Sequence, residues 1–327
     1  MSRLIVVVVV ALFACRDDSR KAPGAGSAKP GIENKDKTET KTEGGADPWA
    51  EPAKAGSVAE TACPAVTAPY FFQIEKDGKT SYLLGTRHIG VAWRTMPKVV
   101  HEALDKAKLV VFETVDNDGT DDTPAPTKPA RDALGPKLWS RYRELAGDAL
   151  ADSVENSTPA EAMLMLMITY EDRFSALERE ITERAETLEK PMKGLETSAF
   201  QQKLLDKYLD ARAMRAFVEN MDSLDELKQD TIEDLVEYCS GTDETPGMDP
   251  KERADMKKSG YTDTEIDMMD REMLSDRNRS WIPQLEKILA GGDAFIAVGA
   301  DHTRGTDGVP ALLESRGYRV VRVTMPK

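Results

Sequence analysis

An α/β fold is predicted, with a central mixed sheet built from N-terminal and C-terminal strands around a long, mainly helical middle. Three observations predict it. Apolar strand patterns cluster between residues 70 and 114, and again between 294 and 323. Between them, residues 136–290 read almost entirely as helix. No internal repeat of fixed period divides the chain, so strands from both ends must share one sheet.

The elements follow in order. Tyr70 to Glu75 and Thr80 to Leu84 are strands joined by Lys76-Asp77-Gly78-Lys79, a hairpin signal with Asp-Gly at its centre. Pro97 to Ala107 is a helix opened by proline. Leu109-Val110-Val111-Phe112 is an apolar strand ending at Glu113, and Asp116 to Arg131 is a polar, proline-rich loop. Ala160 to Ile168 is apolar all round, as a buried helix is. Its methionines suit core packing better than a binding groove. Ser175 to Leu188, Asp206 to Leu235 and Asp263 to Leu289 are amphipathic helices, and Cys239 to Pro250 breaks the pattern with glycine and proline. Ala294 to Val298 is a buried strand, Val309 to Ser315 a helix, and Tyr318 to Val323 the last strand.

The first residues carry a different message. Arg3 precedes an unbroken apolar run, Leu4 to Ala14. Such a run covers about 16 Å as helix, too short for a bilayer core of roughly 30 Å. It has the form of a secretory signal. Ala14-Cys15 followed by Arg16-Asp17-Asp18 resembles the bacterial lipobox, where the signal is removed and the cysteine is acylated. The other reading is an ordinary signal cleaved nearby. Ser19 to Ser57 is too polar to bury a core and is expected to be a disordered tether. The predicted layout is therefore a signal at 1–14, a lipidated Cys15 with its tether at 15–68, and one domain at 69–327. Lipid anchoring would place the domain in the bacterial cell envelope, facing the periplasm or the cell surface.

The formal net charge of −14 argues against nucleic-acid binding and against electrostatic docking on anionic lipid. Beyond Cys15 the chain has only Cys63 and Cys239. In an exported chain they suggest a disulfide more than a metal site, with two unpaired thiols as the alternative.

Histidine is scarce: three in the whole chain. Two share a frame of apolar strand followed by Gly-x-x-His, namely His88 after Gly85 and His302 after Gly299. Glu113 also ends an apolar strand. Sites in open α/β sheets form beyond the carboxyl ends of strands, so these three side chains can converge. Two imidazoles and a carboxylate suit a divalent ion: Zn²⁺, Mn²⁺ or Co²⁺. Capping or core histidines are the bland alternative. His101 has no motif around it and reads as a surface helix residue.

At these residues the chain resembles a family. Leu83-Leu84-Gly85-Thr86-Arg87-His88 is similar to the opening motif of the TraB/PrgY/GumN family, related to the Tiki metalloproteases. Leu109 to Glu113, Gly194-Leu195-Glu196-Thr197 with Gln201, Asp276-Arg277-Asn278, and Val298 to His302 with Gly305 and Gly308 agree in order. The resemblance implies a fold like that of the erythromycin-esterase and ChaN superfamily, and a site at His88, Glu113 and His302. Glu196 and Arg277 match further recurrent polar positions and are the candidate proton carrier and oxyanion partner. Gln201 and Asn278 are candidate substrate contacts. Simple structural roles for Glu196 and Arg277, a hydrogen bond at a helix junction and an ion pair, stay open. Two departures stand out. Asp301 adjoins His302 where a small residue is commoner, and Ser175 to Glu178 replaces a pattern that often holds Gly and Asp. The implied activity is that of a metal-dependent hydrolase, a peptidase acting on a peptide or protein. The alternative is a non-catalytic protein that sequesters a peptide signal or a haem-like ligand.

Overall fold

The computed structural model describes residues 61–325 except 89, 116–127, 171–176, 222–223, 243–247 and 249. The expected signal, Cys15 and most of the tether lie outside these residues. The tether was expected to run to residue 68. Cys63 and Val66, however, are buried, because the segment ahead of the first strand packs on the sheet and bonds to the distant Cys239.

The chain forms an α/β domain on one mixed six-stranded sheet, in the order β4-β3-β5-β2-β1-β6. Strands β1 (Tyr70–Lys76) and β2 (Lys79–Thr86) make the predicted hairpin, pairing Lys76 with Lys79. Asp77 and Gly78 both take positive φ, 51° and 73°, the two-residue turn whose twist matches that of its strands. Strands β3 (Leu109–Phe112), β4 (Met192–Gly194) and β5 (Ala294–Gly299) run parallel to β2, and β6 (Arg319–Arg322) pairs antiparallel with β1.

The final strands were expected to complete the sheet. One does, as the β6 edge. The other, β5, lies in the middle between β2 and β3. Its sequence explains the position: Ala-Phe-Ile-Ala-Val is apolar on both faces and buried throughout, as a strand covered from both sides must be. Three-residue β4 is too short to leave a sequence pattern.

Helix α1 (Lys98–Lys106) links β2 to β3. The middle then runs through α2 (Ala130–Ala146), α3 (Asp148–Val154), α4 (Pro159–Tyr170) and α5 (Leu177–Thr187) to β4. The stretch from Asp206 to Leu235, expected as one helix, is three. They are α6 (Ser198–Tyr208), α7 (Ala211–Asn220) and α8 (Leu224–Ser240). Asp210 accounts for the first break: its carboxylate accepts from the Arg212 and Ala213 amides as an N-cap. After α9 (Pro250–Lys258), α10 (Asp263–Asp270) passes through a π-helical turn, Arg271–Ser275, into α11 (Asp276–Leu289). Helix α12 (Val309–Glu314) precedes β6.

One sheet face is covered by α1, α5 and α8, with Leu104, Ile181, Leu235 and Tyr238 among the packed residues. The other is covered by α11 and α12 through Trp281, Leu285 and Leu313. A third cluster is built mainly from helices and includes Met163, Leu166 and Met167 of α4, which serve there as core. Among the described residues no helix is long and apolar enough to cross a membrane.

Candidate active site

All four parallel strands end on one edge of the sheet, and each delivers a polar side chain just beyond its last residue. His88 follows β2, Glu113 follows β3, Glu196 follows β4 and His302 follows β5. Of these, His88, Glu113 and His302 are buried, together with Arg277. Gly299 stands where they meet. A Cβ on this residue would lie 3.3 Å from Glu113 Oε1, 3.5 Å from His302 Cδ2 and 3.7 Å from His88 Nε2. Any larger residue would fill the space the three share.

Helix α11 supplies the frame. Arg277 Nη2 donates to Glu113 Oε2 at 2.5 Å and to Glu196 Oε1 at 2.6 Å, and its Nε donates to Glu196 at 3.0 Å. Nη1 donates to the Met273 carbonyl at 3.0 Å, inside the π turn, and meets His302 Nε2 at 3.2 Å. A π turn leaves carbonyls off the α ladder, and here Arg277 takes one up. One turn further on, Trp281 donates Nε1 to Glu196 Oε2 at 2.9 Å and lays its ring 4.5 Å from that of His302.

Glu113 is saturated. The Gly299 amide donates to Oε1 at 2.7 Å, and Gln201 donates to Oε2 at 2.9 Å. Burial opposes its charge, but the positive groups and the amide around it outweigh burial and hold its pKa at about 2. Burial pushes His302 down to about 3, so it is a neutral imidazole. Its Nδ1 lies 2.6 Å from Asn278 Oδ1. Arg277 can only donate to Nε2, which fixes the tautomer: Nδ1 bears the proton and Nε2 the lone pair. For Glu196, burial raises the pKa against the pull of Arg277.

His88 is arranged in parallel. Its Nδ1 lies 2.6 Å from Glu178 Oε1, both side chains buried. Neither Glu178 oxygen nor His88 Nδ1 has a hydrogen bond of regular geometry, so this is a close charge contact between two buried side chains. Burial works to lower the His88 pKa, but the Glu178 carboxylate wins and the net direction is upward.

The expected site residues are thus placed as follows. His88, Glu113, His302, Glu196, Arg277, Gln201 and Asn278 come together. Gln201 and Asn278, expected to meet substrate, face Glu113 and His302, and Asn278 also donates to the Asp307 carbonyl at 2.9 Å. Glu196, expected to carry a proton, has both oxygens engaged. Asp301 turns away to pair with Arg304. His101 packs edge-on to Trp93, with Nε2 3.0 Å from the Met96 carbonyl, remote from the site's contacts. Cys63 and Cys239 are joined as a disulfide, with Cα atoms 5.9 Å apart. Sequence reasoning marked Glu178 only as the end of the Ser175–Glu178 departure, with no role for it, and missed Trp281. Trp281 was within reach, being i+4 from Arg277 and so on the same helix face. Glu178 adjoins the buried stripe Leu177, Ile181 and Ala185 of α5, a weak signal at best.

The TraB/PrgY/gumN family model matches residues 70–322. The chain belongs to the TraB/PrgY/gumN family. No curated protein and no solved structure matches it. The family match covers every strand of the sheet and every residue of the cluster just described.

Whether this family member's site suits a divalent ion can be judged from its donors. His88 turns Nε2 toward the space at Gly299 and His302 turns Nε2 toward Glu113 and Arg277, and each has Nδ1 against an acceptor, as metal-ligating histidines do. His302 Nε2 and Glu113 Oε1 stand 3.6 Å apart, close to the roughly 3.4 Å separating two ligands of a tetrahedral ion with bonds of about 2.1 Å. Among the described residues, however, no three His, Cys, Asp or Glu side chains form a ready ligand group. The guanidinium of Arg277 faces the His302 lone pair and one Glu113 oxygen. The donor chemistry fits, with Arg277 as the group that must give way.

Proposed function

We propose that this family member is a metal-dependent hydrolase with peptides as its substrate class, held at the bacterial cell envelope by a lipid on Cys15. The observation that carries the reading is the matched pair of imidazoles. Two of the chain's three histidines converge beside the buried Glu113: His88 Nε2 and His302 Cδ2 both border the space at Gly299, His302 Nε2 stands 3.6 Å from Glu113 Oε1, and each Nδ1 lies against an acceptor. Such a set holds Zn²⁺, Mn²⁺ or Co²⁺ through His88, Glu113 and His302. A bound ion there supplies Lewis acidity toward a carbonyl and activates water.

The protein's own groups do the rest. Glu196 holds Arg277 through three hydrogen bonds and so keeps a positive charge at the edge of the site when the guanidinium gives way from Glu113 and His302, suited to a developing oxyanion. Its raised pKa keeps it the nearest candidate for a proton carrier once Arg277 moves. Gln201 and the Gly299 amide orient the Glu113 carboxylate.

Metal analysis of the purified domain tests the reading. His88→Ala and His302→Ala should each lose stoichiometric metal and peptide hydrolysis, while His101→Ala keeps both. Mass spectrometry of the mature N-terminus should find diacylglyceryl on Cys15, and Cys15→Ser should release the protein from membranes.

One observation favours a second reading, a non-catalytic protein that sequesters a peptide or a haem-like ligand. Arg277 already neutralises Glu113 and engages His302. Metal content and any hydrolysis that survive a His88/His302 double substitution unchanged would make this the better account.

A further inference from the structure

Glu178 has no part in the site as read from sequence, and its surroundings ask for an explanation. A carboxylate is rarely this buried without partners. Glu178 is 4% exposed, and among the described residues the charged group it meets is His88, with Nδ1 at 2.6 Å. It sits in the first turn of α5, whose end is fastened to the His88 loop at two other points. The Leu177 amide donates to the His88 carbonyl at 3.2 Å, and Glu180 accepts from the Trp93 amide at 2.8 Å. From the opposite side, Leu235 of α8 closes over Gly90, where φ is +89° and a Cβ would lie 2.8 Å from the leucine. Tyr238 of the same helix donates to the Gly85 carbonyl at 2.8 Å. The described backbone on either side of residue 89 is therefore held by α5 and α8, and Glu178 is the group that meets the imidazole at Nδ1.

We infer that Glu178 is the positioning residue of His88: its carboxylate holds the proton on Nδ1 and so presents the Nε2 lone pair to the shared spot at Gly299. This deepens the metal-site reading and rests on it for its functional meaning. Asn278 does the same for His302, with a neutral amide in place of a carboxylate. Outer-shell acceptors of this kind also make the imidazole a stronger donor, and losing one typically costs about 10- to 100-fold in metal affinity.

With only three histidines in the chain, ¹⁵N-labelled imidazole spectra resolve the question directly. In chelator, at a pH where His88 is neutral, wild-type His88 should be the Nδ1–H tautomer. Glu178→Ala should shift it toward Nε2–H, with the His302 signals unchanged as proof of folding. Glu178→Gln, whose amide oxygen still accepts, should retain the wild-type tautomer. Titration with Co²⁺ followed by absorption should show binding about 10- to 100-fold weaker in Glu178→Ala and largely restored in Glu178→Gln. Should the alanine variant not fold, Glu178→Asp, one methylene too short, must show the same shift. A folded variant of either kind with His88 still Nδ1–H overturns the inference. If the tautomer shifts but wild type binds no Co²⁺, Glu178 still positions His88 and the metal-site reading falls.

Discussion

His88 and His302 stand at the ends of neighbouring parallel strands, in the same Gly-x-x-His frame, and the protein treats them oppositely. His302 is held by α11: Asn278 at Nδ1, Arg277 at Nε2 and Trp281 against the ring. Every one of these comes from a single stretch of five residues. His88 is held by α5 and α8, from the long middle region, and α8 is tied to the start of the domain by Cys63–Cys239. A shared local motif places each imidazole at a strand end. What the imidazole then becomes, a permanently neutral donor or one that a carboxylate draws toward protonation, depends on elements far away in sequence.

The largest effect expected is at the joint between the two arms. Arg277 balances Glu113 and Glu196, all three buried. Arg277→Met leaves two uncompensated carboxylates and should destabilise the domain by about 3–5 kcal/mol in urea unfolding. Adding Glu113→Gln and Glu196→Gln should recover much of this, because the cost is unpaired charge and not lost packing. If the triple variant is as unstable as Arg277→Met, that account fails.

Next comes the disulfide, which supports only one arm. Cys63→Ser with Cys239→Ser should cost about 2–4 kcal/mol. The sharper expectation is spatial. Cys239 accepts the Thr67 amide at 2.8 Å, and Tyr238 and Leu235 grip the His88 loop. Imidazole signals of His88 should broaden or shift in the double variant while those of His302 stay put. Equal changes at both histidines would show that the arms are not independently supported.

How much of this was legible in the sequence follows the same division. The hairpin was, since Asp77-Gly78 fixes its own turn. The strand-end residues His88, Glu113 and His302 were, since an apolar run followed by a polar residue is a local pattern. The central place of β5 was not, because strand order is decided by which surfaces need covering on both faces, and β5 pairs with strands some 180 residues or more earlier in the chain. Nor was Glu178, whose role exists only once α5 is packed on the β2 loop. Asp210 was a readable N-cap that the apolar periodicity around it obscured.

A smaller effect sharpens the His302 side. Asn278→Ala removes the acceptor at Nδ1 and leaves a buried N–H unpaired, worth about 1–3 kcal/mol. The Asp307 carbonyl loses its donor as well. The loss should appear in unfolding experiments on the chelated protein, and His302 should lose its single tautomer while His88 keeps its own. An unchanged His302 tautomer would mean that Arg277 alone fixes it.

The smallest effect per unit of pH tests the electrostatic contrast itself. His302 has its pKa depressed from 6.5 to about 3. The unfolded chain therefore binds a proton there that the folded one refuses, so its contribution is complete above about 6.5 and lost as pH falls toward 3. Glu113, lowered from 4.5 to about 2, adds a loss in the same direction below about 4.5. His88 has its pKa raised, so the folded protein binds the extra proton. Its contribution is complete below about 6.5 and fades as pH rises through the folded value. The two histidines thus give stability slopes of opposite sign on either side of about 6.5, each at most about 1.4 kcal/mol per pH unit. Urea unfolding in chelator should show a maximum near that pH. His88→Gln should flatten the alkaline side alone, and His302→Gln should lessen the acid slope between about 5 and 6.5. If His88→Gln leaves the alkaline side unchanged, the Glu178 carboxylate does not draw a proton to His88, and the two arms differ in their neighbours but not in their charge.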